Sequence, residues 1–289
     1  MINTYNTSGY NLQLSKFDMK SLIYNEDGSF LNPKIALIAK SGGGKSWVVR
    51  DIMSHLNDIP CGLVIAPTDK ITGFFNEFVP AAYIHHQYND NILTNLMKRQ
   101  NNFLLKNKER EAKNKSLKDN RVFLIMDDCM SSRNAWLKDP KILSLFFEGR
   151  HFGITFILTM QFSLGIPPEF RTQFDFIFLL GEDMFHNKKR LYEHYAGMFP
   201  SRDIFDQVFA QVTENYGCMV INNRIKTSDI TKKVFWYRSN KIDTFVLGCE
   251  KYIKWDKDNY DKDHNKKEEI FDLNSFYSKR RTNIQVKLV

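Results

Sequence analysis

Five near-continuous apolar runs do most to restrict what this chain can fold into: KIALIA (34–39), CGLVIA (61–66), RVFLIMD (121–127), GITFILTM (153–160) and FDFIFLL (174–180). A strand that faces solvent on one side alternates apolar and polar residues, whereas an unbroken apolar run is buried on both faces. Stretches with helical spacing separate these runs, namely WVVRDIMSHL (47–56), NILTNLMKRQ (91–100) and ILSLFFEGR (142–150). Buried strands alternating with helices predict an α/β fold with a mostly parallel central sheet covered by helices on both faces. Beyond residue 180 the pattern predicts helices near 187–197 and 202–215. Two further strand-like runs, GCMVIN (217–222) and KKVFWYR (232–238), then form a C-terminal strand extension.

At 289 residues the chain can bury one large core. The reading is a segment at 1–30 packing on the core, one domain over 31–250, and a charged tail over 251–289, where lysine and aspartate dominate. No apolar run approaches the roughly 18 residues that span a bilayer, and the polar start MINTYNTSGYN is not a secretory signal, so a cytosolic setting is expected. The four cysteines show no C-x-x-C pair and read as free thiols, mostly buried. His85 and His86 are adjacent, which on a strand sends them to opposite faces and argues against a shared metal. The formal charge of +8 points to a polyanionic partner. Much of the excess lies between Lys98 and Arg121, either as a solvated helix and loop or as a nucleic-acid contact surface.

In such sheets ligands gather at the carboxyl ends of the strands. The first run ends in AKSGGGKS, which carries the last three residues of G-x-x-x-x-G-K-[ST] but has Ala39 in place of the first glycine. Backbone N–H groups of Ser41, Gly42, Gly43, Gly44, Lys45, Ser46 and Trp47 would cradle phosphates at the start of a helix. Lys45 would reach the outer phosphates and Ser46 would hold Mg²⁺. The third run ends in Asp127 and Asp128. Asp127 is placed to hold the metal opposite Ser46, and Asp128 to take a proton from the attacking water. Gln161, after the next run, could sense the γ-phosphate. Arg150 or Arg171, either side of that run, could stabilise charge on a transferring phosphoryl group, including that of a neighbouring subunit. The stretch SNKID at 239–243 matches the guanine-reading N-K-x-D pattern. With no D-x-x-G after the third run, and nearly two hundred residues from Lys45, it reads as a chance match.

Taken in order, these residues resemble the genome-packaging ATPases of nucleocytoplasmic large DNA viruses, the poxvirus-type branch of the FtsK-HerA superfamily. The resemblance extends through most of 17–238. It includes KFDMKSLI, GKSWVVRDIM, IAPTDKITGFFNEFVPAAYIHHQYND, FLIMDDC, EGRHFGITFILTMQFSLGIPPEFRTQFDFIFLL, YGCMVIN and VFWYR. It implies a RecA-like P-loop fold and hydrolysis of ATP with Mg²⁺ at sites between subunits of a homo-oligomeric ring, pentameric or hexameric. The implied task is packaging of double-stranded viral DNA into a capsid, docked on a capsid or portal component in the host cytoplasm or virion. By position, Lys45 and Ser46 match the phosphate site, Asp127 the metal site, Asp128 the catalytic carboxylate and Gln161 the sensor. Arg150, in its G-R context, matches the arginine finger better than Arg171. Two alternatives stand beside this reading: a helicase-like or DNA-segregating ATPase of the same superfamily, and a slow ATP-gated assembly factor.

Overall fold

The computed structural model describes residues 12–260. In chain order the elements are β1 (Lys34–Ile38), α1 (Lys45–His55), β2 (Gly62–Ile65), α2 (Asp69–Thr72), β3 (Ile84–His85), α3 (Asp90–Glu111), β4 (Val122–Met126), α4 (Arg133–Trp136) and α5 (Pro140–Glu148). They continue as β5 (Ile154–Met160), α6 (Pro168–Arg171), β6 (Phe176–Leu180), α7 (Phe185–Tyr195), α8 (Arg202–Val212), β7 (Cys218–Asn222), α9 (Ile230–Lys233), β8 (Val234–Tyr237) and α10 (Glu250–Asn259). One sheet contains all eight strands in the order β3-β2-β4-β5-β1-β6-β7-β8. The first six are parallel, while β7 and β8 return antiparallel. The α/β class, the mostly parallel sheet and the C-terminal strand extension are all present.

Every residue of β1, β4, β5, β6 and β7 is buried, as unbroken apolar runs require. The two faces of the sheet build two cores. On one, α3, α5, α7 and α8 bring Leu93, Phe146, Leu191 and Phe205 against Leu124, Phe156 and Leu179. On the other, α1 lays Val48, Val49, Ile52 and Met53 on Ile35, Leu37 and Ile157, beside Phe17, Leu22 and Phe78. Each such side chain contributes about 1.5–3 kcal/mol on burial, which offsets the entropy of ordering the chain. The helix starts are set locally. Asp139 accepts from Lys141 N ahead of Pro140 at the first turn of α5, Asn89 caps α3, and Ser201 caps α8.

Two features depart from the sequence reading. Strand β3 has only two residues, too few for any periodicity to register, yet it pairs with Val64 and Ile65 at the sheet edge. The charged tail expected from residue 251 begins inside α10, which is packed and not free: Tyr252 is buried, stacks on Tyr83 at 3.8 Å, and donates its hydroxyl to Gly62 O at 2.8 Å. Residues 261–289 of that tail lie outside the described residues. Cys129 and Cys218 are buried, Cys61 is half-buried and Cys249 is exposed, all as free thiols. No helix among the described residues is long and apolar enough to cross a membrane.

Candidate active site

Between Ile38 and Lys45 the chain leaves β1 and turns into α1. Gly42 and Gly44 sit in the left-handed region, with φ of 73° and 91°, which glycine adopts without strain. Gly44 caps α1 with no side-chain hydrogen bond, so the first-turn N–H groups lack intrahelical acceptors and face the concavity of the loop. Ala39 does not occupy the left-handed region, and its methyl is buried in the core beneath the loop. The demand for a missing side chain falls instead on Gly43. A Cβ there would lie 2.9 Å from Ala39 Cβ and 3.0 Å from Lys40 O. Lys45 is buried, and its Nζ donates to Ala39 O at 2.8 Å and Lys40 O at 3.2 Å. Burial lowers its pKa, opposed by the charges of Asp128 and Asp127.

The carboxylates follow β4. Asp127 is buried with its N–H donated to Ile65 O. Thr159 binds both acids: its Oγ1 donates to Asp127 Oδ1 at 2.7 Å and accepts from Asp128 N at 3.1 Å. Burial pushes the Asp127 carboxyl up to about 6; the Thr159 hydrogen bond opposes this and the charge of Asp128 adds to it. Asp128 takes left-handed backbone, φ 51°, and accepts from Gln161 Nε2 at 3.0 Å. Behind them Cys129 is buried, donates its thiol to Ile65 O, and has its pKa raised by that burial, so its part is packing.

A cavity of about 840 Å³ joins the whole 41–47 loop to Asp127 and Asp128. Gln161 reaches it through Asp128 and itself lines the adjoining cavity. Arg150 and Arg171 do not line the cavity of their own chain. Arg150 lies before the amino end of β5, about 20 Å of strand from Gln161. It is ion-paired with buried Asp175, which also accepts from Lys34 N at 2.8 Å. Arg171 donates Nε to Ile166 O at 2.9 Å.

Sequence reasoning missed Thr159, hidden inside an apolar run, and the far wall of the cavity: Phe74, Asn215, Tyr216 and 238–241. Part of that wall is the stretch set aside as a chance match. Its distance along the chain was no obstacle, because β7 and β8 fold back to bring Ser239, Asn240 and Lys241 beside the loop. Within the basic segment, Arg121 is also reassigned. It is buried, paired with Asp119 and Asp58 at 2.8 Å each, and lies 3.6 Å over the Phe30 ring. Lys98, Lys106, Lys108, Lys113, Lys115 and Lys118 are exposed.

The residues suit a nucleoside triphosphate with its metal. The uncapped helix start and glycine loop offer donors to phosphate oxygens, and a desolvated carboxylate and a serine hydroxyl on one cavity are hard oxygen donors of the kind Mg²⁺ takes.

No family model matches the chain. Protein L437 of Acanthamoeba polyphaga mimivirus is 41% identical over 253 residues, spanning 87% of this chain and 86% of its own length. Protein 088R of Invertebrate iridescent virus 3 is 31% identical over 233 residues, 79% of this chain and 84% of its own. Among solved structures, the genome packaging NTPase B204 of Sulfolobus turreted icosahedral virus 2 aligns over 73% of this chain and 99% of its own, at 12% identity and a TM-score of 0.49, which adds nothing to what the sheet order already shows. The identity and coverage of the viral relatives are decisive: the chain belongs to the family of these mimivirus and iridescent-virus proteins.

Proposed function

We propose that this protein is an ATP-driven motor that moves double-stranded DNA into a viral capsid, hydrolysing ATP at sites shared between subunits of a ring in the host cytoplasm. The observation that carries the hydrolytic part is the chain of contacts Gln161–Asp128–Thr159–Asp127 beside the glycine loop and Lys45. A site that only bound nucleotide would have no need of two adjacent carboxylates, one bonded by the Thr159 hydroxyl and the other by the Gln161 amide.

In this reading the loop N–H groups and Lys45 hold the phosphates, and Gln161 orients Asp128 so that one carboxylate oxygen stays available to accept a proton from water. Mg²⁺, held by Ser46 and Asp127, would neutralise charge on the phosphate oxygens. Arg150 of one subunit would complete the site of the next. The exposed lysines of 98–118 supply contacts to DNA phosphates that ignore sequence, as a motor for any DNA needs. Resemblance to packaging ATPases and membership of a large-DNA-virus family support the packaging role.

The test is ATP hydrolysis by the full chain with and without double-stranded DNA. Wild type should be stimulated by DNA of any sequence, and Asp128→Asn should lose hydrolysis by about 10²-fold or more while still binding nucleotide. Hydrolysis indifferent to DNA would reject the motor in favour of an assembly factor.

A further inference from the structure

We propose that Tyr216, Ser239 and Asn240 form the nucleoside subsite, with the base stacked on Tyr216 and its edge read by Asn240, and that the base is adenine. This rests on the reading of the glycine loop as a triphosphate site. Topology gives the direction. Both carboxylates and Gln161 follow β4 and β5, on one side of β1 in the sheet order, while β6, β7 and β8 lie on the other. A triphosphate whose outer phosphate faces Asp127 and Asp128 therefore points its nucleoside toward β7 and β8. Because Leu180 pairs with Cys218 and Cys218 with Tyr237, the start of β7 and the end of β8 sit at the same edge as the loop.

What stands there is built for a ligand. Asn215 and Tyr216 both adopt left-handed backbone, φ 52° and 61°, a strained pair for non-glycine residues that the surrounding structure must hold. Arg238 fixes that turn by donating to Glu214 O at 3.0 Å. The result is a tyrosine ring 74% exposed yet pressed on the loop: a Cβ on Gly44 would lie 3.6 Å from Tyr216 Cδ1. An exposed aromatic face beside a phosphate cradle is a stacking platform for a base. Next to it, Ser239 Oγ is buried without a hydrogen-bond partner among the described residues, a polar group whose desolvation a ligand hydroxyl or ring nitrogen would relieve. Asn240 is exposed on the cavity wall, and its backbone N–H is pinned to Asp51 Oδ2 at 3.2 Å. Asp51 is buried on α1 and also accepts from Tyr237 at 2.7 Å, so the helix that presents Lys45 also positions this wall.

An asparagine amide offers one donor and one acceptor, which match N7 and the N6 amine of adenine. Guanine presents an O6 acceptor in place of the N6 amine, which the amide oxygen cannot bond, and its N1–H and N2 amine are commonly read by a carboxylate. Asp243, the residue the N-K-x-D pattern supplies for that purpose, does not line the cavity.

Calorimetric titration of the full chain with Mg²⁺ and a non-hydrolysable ATP analogue, the matching GTP analogue, or inorganic tripolyphosphate separates the parts. Wild type should bind the ATP analogue roughly tenfold tighter than tripolyphosphate. Tyr216→Ala should erase most of that margin and leave tripolyphosphate binding unchanged, with Tyr216→Trp restoring it. Asn240→Ala should abolish the preference for the ATP over the GTP analogue. Unchanged ATP-analogue affinity in Tyr216→Ala overturns the stacking subsite, and an unchanged preference in Asn240→Ala overturns the adenine assignment. Wild type that binds tripolyphosphate as tightly as the ATP analogue removes the subsite but keeps the phosphate site. Failure to bind either removes both.

Discussion

At the residue scale, Ala39 and Gly43 share one constraint, since only one of the two facing positions can carry a methyl. Ala39→Gly should leave hydrolysis within about twofold of wild type, because position 39 needs no positive φ and loses one methyl of packing. Gly43→Ala drives a methyl into Ala39 and the Lys40 carbonyl, and should lower nucleotide affinity by about tenfold or more. The double variant Ala39→Gly, Gly43→Ala should recover part of the loss, which a titration can read. Asp127 makes a second expectation. Its folded pKa, about 6, lies above the ordinary 3.8, so the proton favours the folded state. That stability is present in full below pH 3.8 and is lost as pH rises through about 6. In nucleotide-free protein Asp127→Asn should therefore be more stable than wild type at pH 8, by up to about 3 kcal/mol, with the gap closing toward pH 4 in a series of thermal melts. Lys45, Asp127, Asp128 and Gln161 were legible in the sequence because each follows a buried strand, and strand ends of a parallel sheet share an edge. Thr159 was not, since a threonine inside an apolar run looks like strand filler. Tyr216 and Asn240 were not, since only the antiparallel return of β7 and β8 brings them to the loop.

Among the elements, α3 carries the largest departure from a simple covering helix. It has 22 residues, about 33 Å, and enters the β4 strand from the amino edge of the sheet, so its second half and the basic loop after it extend past that edge. Only Leu93, Leu96 and Gln100 of it are buried, all in the first half. Asn107 pins the returning loop by hydrogen bonds in both directions with Lys118. Lys106, Lys108, Lys113 and Lys115 changed together to glutamine should weaken DNA binding at low salt and reduce the slope of log affinity against log salt by roughly 3 to 4. Arg121→Ala is the contrasting control. It should leave that slope alone and cost about 1–3 kcal/mol of stability, because Arg121 is tied to Asp58, Asp119 and Phe30. Arg121 counted toward the basic segment because its charge was read without its burial. The strands buried on both faces were legible to within two residues at each end, because few polar residues interrupt their apolar runs. The same logic failed for β3, which is too short, and for the start of α10, whose tyrosine is an apolar anchor inside a charged run.

In the whole molecule the chemistry is split between two edges of one sheet. The loop, the carboxylates, Gln161 and the proposed base wall lie at the carboxyl edge, while Arg150, Asp175 and the basic end of α3 lie at the amino edge. With about 20 Å of β5 between them, Arg150 cannot serve the site of its own chain, so it either serves a neighbour or is simply the counter-ion of Asp175. Single variants do not separate these roles, because removing Arg150 strands a buried carboxylate and can lower activity through the fold alone. Mixing does. Arg150→Lys keeps the charge beside Asp175 but lacks the planar fork that stabilises a transferring phosphoryl group, and Asp128→Asn lacks the proton acceptor. Each alone should be nearly inactive in DNA-stimulated hydrolysis, with thermal melts within a few degrees of wild type. Mixed in equal amounts and allowed to exchange, they place an intact Asp128 against an intact Arg150 at about one interface in four. Activity should then rise well above either parent, toward roughly a quarter of wild type if sites fire independently. A mixture no more active than its parents would make Arg150 a structural partner of Asp175, and would send the search for the finger to Arg171.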